Sequence, residues 1–309
     1  MRRSVLSLLF APLLFCACHE RASAPSLPVA NAVYYWRTAW RLDEWESAFL
    51  SRYGVRRVYC RYFDVVMRDG QPMPNATLRF PDDTPLHVPD SVELVPTVYI
   101  TADCMSGAPS GGWPLLADRL VRRVVQMNAT HDLPPARELQ VDCDYTQRSR
   151  TAYYDFLSQV RTAALRHGMR LSVTIRLHQL SMPAPPADYG VLMVYNTGDP
   201  QRFAERNPIL DIRDVRPYVS RLGGYPLPLA AAYPVYRWQR SIGGVRIEHS
   251  VEAHEILAAK KMIEGAREDM SHTIIIYCLD RENIARYDRE LFDGIFSRRL
   301  IPDTVHSCP

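Results

Sequence analysis

No glycine-rich phosphate loop follows the first strand-like run of this 309-residue chain, which argues against an open dinucleotide-binding or P-loop sheet. No block of Lys or Arg stands out and the net charge is only +3, so nucleic acid is not expected as a partner. The seven cysteines show no CxxC spacing and no metal-finger pattern, and neither a metal nor a cofactor is expected. There is no internal repeat and no low-complexity tract. After residue 30, no apolar run approaches the roughly 20 residues a membrane-crossing helix needs.

What is there begins with Met1-Arg2-Arg3 and an apolar run from Val5 to Ala17, broken only by Ser7 and Pro12. A basic start and a short apolar run read as a secretory signal, too short for a span. It ends in Phe15-Cys16-Ala17-Cys18. A small residue followed by Cys resembles the lipobox of bacterial lipoproteins, with Phe15 where that motif usually has Leu. The expectation is a signal peptide over 1–17, lipid on Cys18, and a tether over 18–30 rich in Ala, Ser and Pro. The protein would then be exported and held at a bacterial membrane, in the outer membrane or periplasm. An ordinary cleaved signal with two incidental cysteines is the alternative. Cys60, Cys143 and Cys278 lie in apolar strand-like runs and read as buried thiols, leaving Cys104 and Cys308.

The remaining residues, 31–309, suit one large domain. With 47% hydrophobic and 23% charged residues, a sizeable core can form. Strand-like runs recur at Ala32–Trp36, Arg57–Val65, Leu94–Ile100, Leu139–Asp144, Arg170–His178, Val191–Asn196, Pro228–Tyr236 and Thr273–Leu279. Many are apolar on both faces, as parallel strands under helices are. Amphipathic helices are expected over Leu42–Tyr53, Leu115–Met127, Ser149–His167, Val251–Arg267 and Glu282–Phe296, with a weaker one over Ile209–Arg221. Eight strands in this rhythm predict a single (β/α)8 TIM-type barrel. The connections after strands 2 and 5 (67–93 and 179–190) are too rich in Pro to be covering helices and should be irregular.

The fourth strand carries the strongest chemical signal. Leu139-Gln140-Val141-Asp142-Cys143-Asp144 places Gln140, Asp142 and Asp144 on one face. Two neighbouring carboxylates cost desolvation and repulsion, so a site explains them better than stability does. The structural alternative is one Asp capping a helix and the other pairing with Arg. On the fifth strand Ser172, Thr174, Arg176 and His178 alternate with apolar residues and should face the lumen. Arg176 serves the substrate, the acid pair, or both. Sites of such barrels gather at the C-terminal strand ends. Those ends supply Asp64, Asp103, Tyr195, Asn196, Tyr236, Arg237, Trp238 and Asp280. Acids mixed with Tyr and Trp suit a sugar, whose hydroxyls bond carboxylates and whose ring faces stack on aromatics.

With these motifs in order, the chain resembles the chitinase-like barrels of glycoside hydrolase family 18. That family has D-x-x-D-x-D-x-E on its fourth strand, M-x-Y-[DN] on its sixth and P-x-Y on its seventh. Here stand Asp142 and Asp144, then Met193-Val194-Tyr195-Asn196, then Pro234-Val235-Tyr236. The resemblance covers most of 31–300 by architecture and these motifs by residue. The chain is also similar to exported bacterial lipoproteins with a VDCD-type strand. Two positions depart: the family's first Asp falls on Leu139, and its proton-donating Glu falls on Thr146. The resemblance implies a glycoside hydrolase-like lipoprotein acting on a polysaccharide or glycoconjugate at the cell envelope. Asp144 would be the acid or base, its pKa raised by Asp142, with a second carboxylate from Asp64, Asp103 or Asp280. The alternative is a lipoprotein that binds glycan on the same barrel without cutting it.

Overall fold

A computed structural model describes residues 28–81 and 88–298. The expected signal peptide, Cys18, most of the tether and Cys308 lie outside the described residues.

The strands are β1 (Ala30–Tyr35), β2 (Val55–Arg68), β3 (Gln71–Asn75), β4 (Glu93–Ile100), β5 (Glu138–Cys143), β6 (Arg170–Arg176), β7 (Tyr189–Met193), β8 (Leu229–Pro234), β9 (Trp238–Ile242), β10 (Val245–His249) and β11 (Thr273–Tyr277). The helices are α1 (Glu44–Arg52), α2 (Gly112–Thr130), α3 (Arg150–Leu165), α4 (Ile212–Leu222), α5 (Ala253–Ala266), α6 (Arg281–Ile284) and α7 (Arg289–Phe296). Eight parallel strands run in the order β1, β2, β4, β5, β6, β7, β8, β11, and β11 pairs with β1. The sheet therefore closes into a single (β/α)8 barrel, as the strand–helix rhythm predicts.

The strands read clearly because both faces are covered: every residue of β5 and β8 is buried. Both irregular connections are present. After β2 the chain folds back as β3, antiparallel to β2. After β6 a 3-10 turn, Leu177–Ser181, packs against α4 in place of a covering helix. That turn corrects one expectation, because β6 ends at Arg176 rather than His178. The Gln179 side chain accepts from Arg176 N at 2.8 Å and donates to Tyr145 O at 3.0 Å. This turns the chain off the sheet and leaves His178 exposed instead of facing the lumen. The expected helix over Glu282–Phe296 is split into α6 and α7, with Asp288 at the start of the second.

The lumen is filled in polar layers. At its base Arg57 pairs with Glu138 and donates to Tyr189 Oη at 2.9 Å, while Ser172 Oγ donates to Glu138 at 2.6 Å. Above it, Tyr34 Oη donates to Gln140 Oε1 at 2.8 Å. Above that, Thr174 Oγ1 donates to Asp142 Oδ1 at 2.5 Å. Stacked layers of inward side chains are how such barrels fill their centre. Here they lead upward to one carboxyl.

Candidate active site

A cavity of about 170 Å³ opens at the C-terminal ends of the strands. Each lining residue comes from a strand or from the first three residues past its end. Trp36 follows β1, Arg61 lies on β2, Tyr99 on β4, Asp142 on β5 and Arg176 on β6. Met193 ends β7, Tyr195 and Asn196 follow it, and Tyr277 ends β11. A larger cavity of about 790 Å³ lies at the other end, lined by Arg56, Glu93, His131, Arg137 and neighbours at the strand starts. Chemistry in this fold belongs to the C-terminal face, so the smaller cavity is the candidate.

Asp142 is 4% exposed. Burial raises its carboxyl above the ordinary value, against the pull of Arg176; Asp144 adds to the rise and the Thr174 hydrogen bond opposes it. Asp142, rather than Asp144, is the carboxyl that burial encloses. Asp144 lies past the end of β5 with its side chain 52% exposed, and its Oδ1 accepts from Arg176 Nε at 2.5 Å. Arg176 Nη2 lies 3.5 Å from Asp142 Oδ1, so one guanidinium spans both acids. Arg176 thus pairs with both acids and also lines the cavity.

The walls are aromatic. Tyr277 stacks on Tyr195 with centroids 4.8 Å apart and meets Tyr236 edge-on at 5.4 Å. Trp36 lies 5.9 Å from Tyr277, and Arg61 sits over the Trp36 ring at 5.6 Å. Burial, with Asp144 and Asp142 nearby, pushes the Tyr99 hydroxyl up to about 12, so it stays a neutral donor. Asn196 adopts the left-handed conformation, φ 52°, which Asn tolerates better than most residues, and accepts from Tyr236 Oη at 2.5 Å.

Of the expected residues, Asp142, Arg176, Tyr195 and Asn196 line the cavity. Asp144 joins them through Arg176, and Tyr236 through Asn196 and Tyr277. Asp64 is buried just behind, bound by Arg61 Nε at 2.7 Å. Four others do not line it. His178 is on the 3-10 turn. Asp103 accepts from Cys104 N at 3.0 Å within a turn. Trp238 is on β9, 5.4 Å from Phe203 and beneath Arg240. Asp280 caps α6 by accepting from Asn283 N at 3.0 Å. Thr146 is exposed in a turn, where its N–H donates to Ser149 Oγ at 3.0 Å, and brings no group to the cavity. Sequence reasoning missed Trp36, Arg61, Tyr99, Met193 and Tyr277. Continuing each strand's inward alternation to its last residue would have found Tyr99 and Tyr277.

Among the described residues, no group of three or more His, Cys, Asp or Glu could hold a metal ion. Cys60, Cys104, Cys143 and Cys278 are free thiols.

No protein-family model matches this sequence, and no curated protein does. Solved structures match it in fold. A chitinase from Bacteroides thetaiotaomicron superposes with a TM-score of 0.57 at 13% identity, over 92% of this chain and 100% of its own. A chitinase from Chromobacterium violaceum gives 0.53 at 14%, over 86% and 98%. The spore cortex-lytic enzyme SleL of Bacillus cereus gives 0.53 at 16%, over 89% and 76%. At such identities the likeness is one of fold: this chain is built as a (β/α)8 barrel of the kind found in chitinases.

Proposed function

We propose that this protein is a glycoside hydrolase-like component of the bacterial cell envelope, and that its cavity takes one sugar unit of a polysaccharide or glycoconjugate. One observation carries the reading: Asp142 is a carboxyl enclosed by aromatic walls at the C-terminal mouth of a chitinase-type barrel. Burial favours its protonated form, and a donor to a glycosidic oxygen must hold a proton. Trp36 and Tyr277 offer ring faces to a pyranose, while Arg176 and Asn196 offer polar contacts. Asp144, at the edge, is the second carboxylate. Export and a lipid on Cys18 complete the proposal and rest on the sequence of residues 1–18 alone.

Glycan binding without cleavage is the second reading. Two observations favour it: Thr146 occupies a turn where the resembling family has its acid, and Arg176 engages both carboxylates. Incubating purified protein with a glycan panel and analysing the products separates the two. Cleavage by wild type, lost in Asp142→Asn while binding persists, is the expected result. Ligand recovered intact after long incubation rejects hydrolysis in favour of binding. A variant with full turnover removes Asp142 from the chemistry.

A further inference from the structure

Arg176 carries five N–H donors in a rigid planar fork. Nε is engaged by Asp144 and Nη2 faces Asp142. Nη1 is buried and has no hydrogen-bond partner within the protein. Buried polar groups are nearly always satisfied, and an unpaired charged donor is among the more costly exceptions. Arg176 lines the candidate cavity, so a ligand held there touches the side chain that carries this unpaired nitrogen.

The charges around the cavity narrow the choice of ligand. Its lining holds two guanidinium groups, Arg61 and Arg176, against one carboxyl, Asp142. Arg61 pairs with Asp64 through Nε and Nη2, whereas Arg176, though it faces two acids, keeps one buried nitrogen that no protein group bonds. Asp144, the other acid on Arg176, sits at the solvent edge on the Nε side. A sugar hydroxyl brings a donor together with its acceptor, whereas a carboxylate brings acceptors alone. Carboxylates also match the fork geometrically, and charge-assisted bonds are about twice as strong as neutral ones. At about 170 Å³ the space is below the roughly 300–1,000 Å³ of drug-sized pockets, enough for one ring and a substituent.

We propose that the sugar unit taken by this cavity is acidic, and that its carboxylate is received by Nη1 of Arg176. This rests on the glycan reading above and sharpens it from any sugar to a carboxylate-bearing one.

Calorimetric titration of the full chain with matched ligand pairs tests it. One pair is a glucuronate-containing tetrasaccharide and its carboxyl-reduced neutral counterpart. The other is a disaccharide containing N-acetylmuramic acid and N,N′-diacetylchitobiose. The expected result is that the acidic member of at least one pair binds wild type at least tenfold more tightly than its neutral partner. In Arg176→Gln that ratio should fall towards one. Arg176→Lys, which keeps the charge but loses the fork, should lie between. Neutral members that bind as tightly as acidic ones overturn this inference and leave the glycan reading standing. Binding by no member of either pair overturns both. The wild-type comparison decides the matter even if the variants fold poorly.

Discussion

Glu138 begins β5, four residues before Asp142, with a side chain 0% exposed and Arg57 as its cation. The Arg57 side chain is itself 4% exposed. Arg57→Met would leave the Glu138 carboxylate deep in the barrel, supported mainly by Ser172 Oγ at 2.6 Å. Removing one member of a buried pair costs roughly 3–5 kcal/mol, because the survivor stays desolvated and unpaired. Glu138→Leu should cost less, near the lower figure. Arg57 would keep Glu93, 3.3 Å away and 34% exposed, together with the hydroxyls of Tyr59 and Tyr189. The double variant should lie closer to wild type than either single one, since well-packed apolar replacements of a buried pair are often neutral. Tyr59 and Tyr189 would still bond each other at 3.1 Å. At roughly 2–4 °C per kcal/mol for larger domains, Arg57→Met should lower Tm by about 6–20 °C. Urea unfolding of all four proteins measures the coupling directly. A double variant that loses the sum of the two single losses would refute the idea that this pair organises the barrel base. The Gln140–Tyr34 layer separates the base from Asp142, so glycan binding should survive in the double variant.

Other outcomes follow from the same structure. Because Asp142 holds its proton to higher pH in the folded chain than when unfolded, its contribution to stability is greatest at low pH and is lost as pH rises from about 4 through the raised value. Asp142→Asn should therefore gain Tm relative to wild type as pH rises above about 4, and a difference that stays flat would contradict the assignment. Gly190 of β7 has no room for a methyl group: a Cβ there would lie 2.9 Å from both Ile175 Cγ1 and Leu229 Cδ2. Gly190→Ala should cost about 1–3 kcal/mol by overcrowding, read as an earlier urea midpoint with unchanged slope. Cys18→Ser should release the protein to the soluble fraction or leave it as unprocessed precursor. Mature variant that sediments with membranes as wild type does would rule out the lipid anchor.

The barrel was legible because its strands are buried on both faces, which writes Val, Ile, Leu and Tyr runs into the sequence. The two connections that show no covering helix among the described residues were legible through their prolines. The β9–β10 hairpin escaped notice, because its exposed residues carry little apolar period. Its signal was Gly243-Gly244 between two five-residue runs, with φ of 57° and 81°, as a tight hairpin turn requires. At the site, alternation along single strands gave Asp142 and Arg176. Trp36, Tyr99 and Tyr277 sit in apolar runs and read as core aromatics. Only closure of the sheet brings β1, β4 and β11 around the end of β5, and no local pattern records that. The opposite error befell His178, Asp103, Trp238 and Asp280. Each follows a strand in sequence, but the chain has already turned into a 3-10 turn, a hairpin or a helix cap.

Every barrel strand points the same way, so the chain enters at the end remote from the cavity. Pro28 O accepts from Thr273 Oγ1 and Ala30 N donates to His272 O at 3.0 Å, fastening that entry point beside the start of β11. If lipid is attached at Cys18, the leash reaching this point is at most about 40 Å, at ~3.6 Å per residue. Such a molecule would be tethered from its base, at the end opposite its mouth, so the anchor itself would not obstruct the cavity.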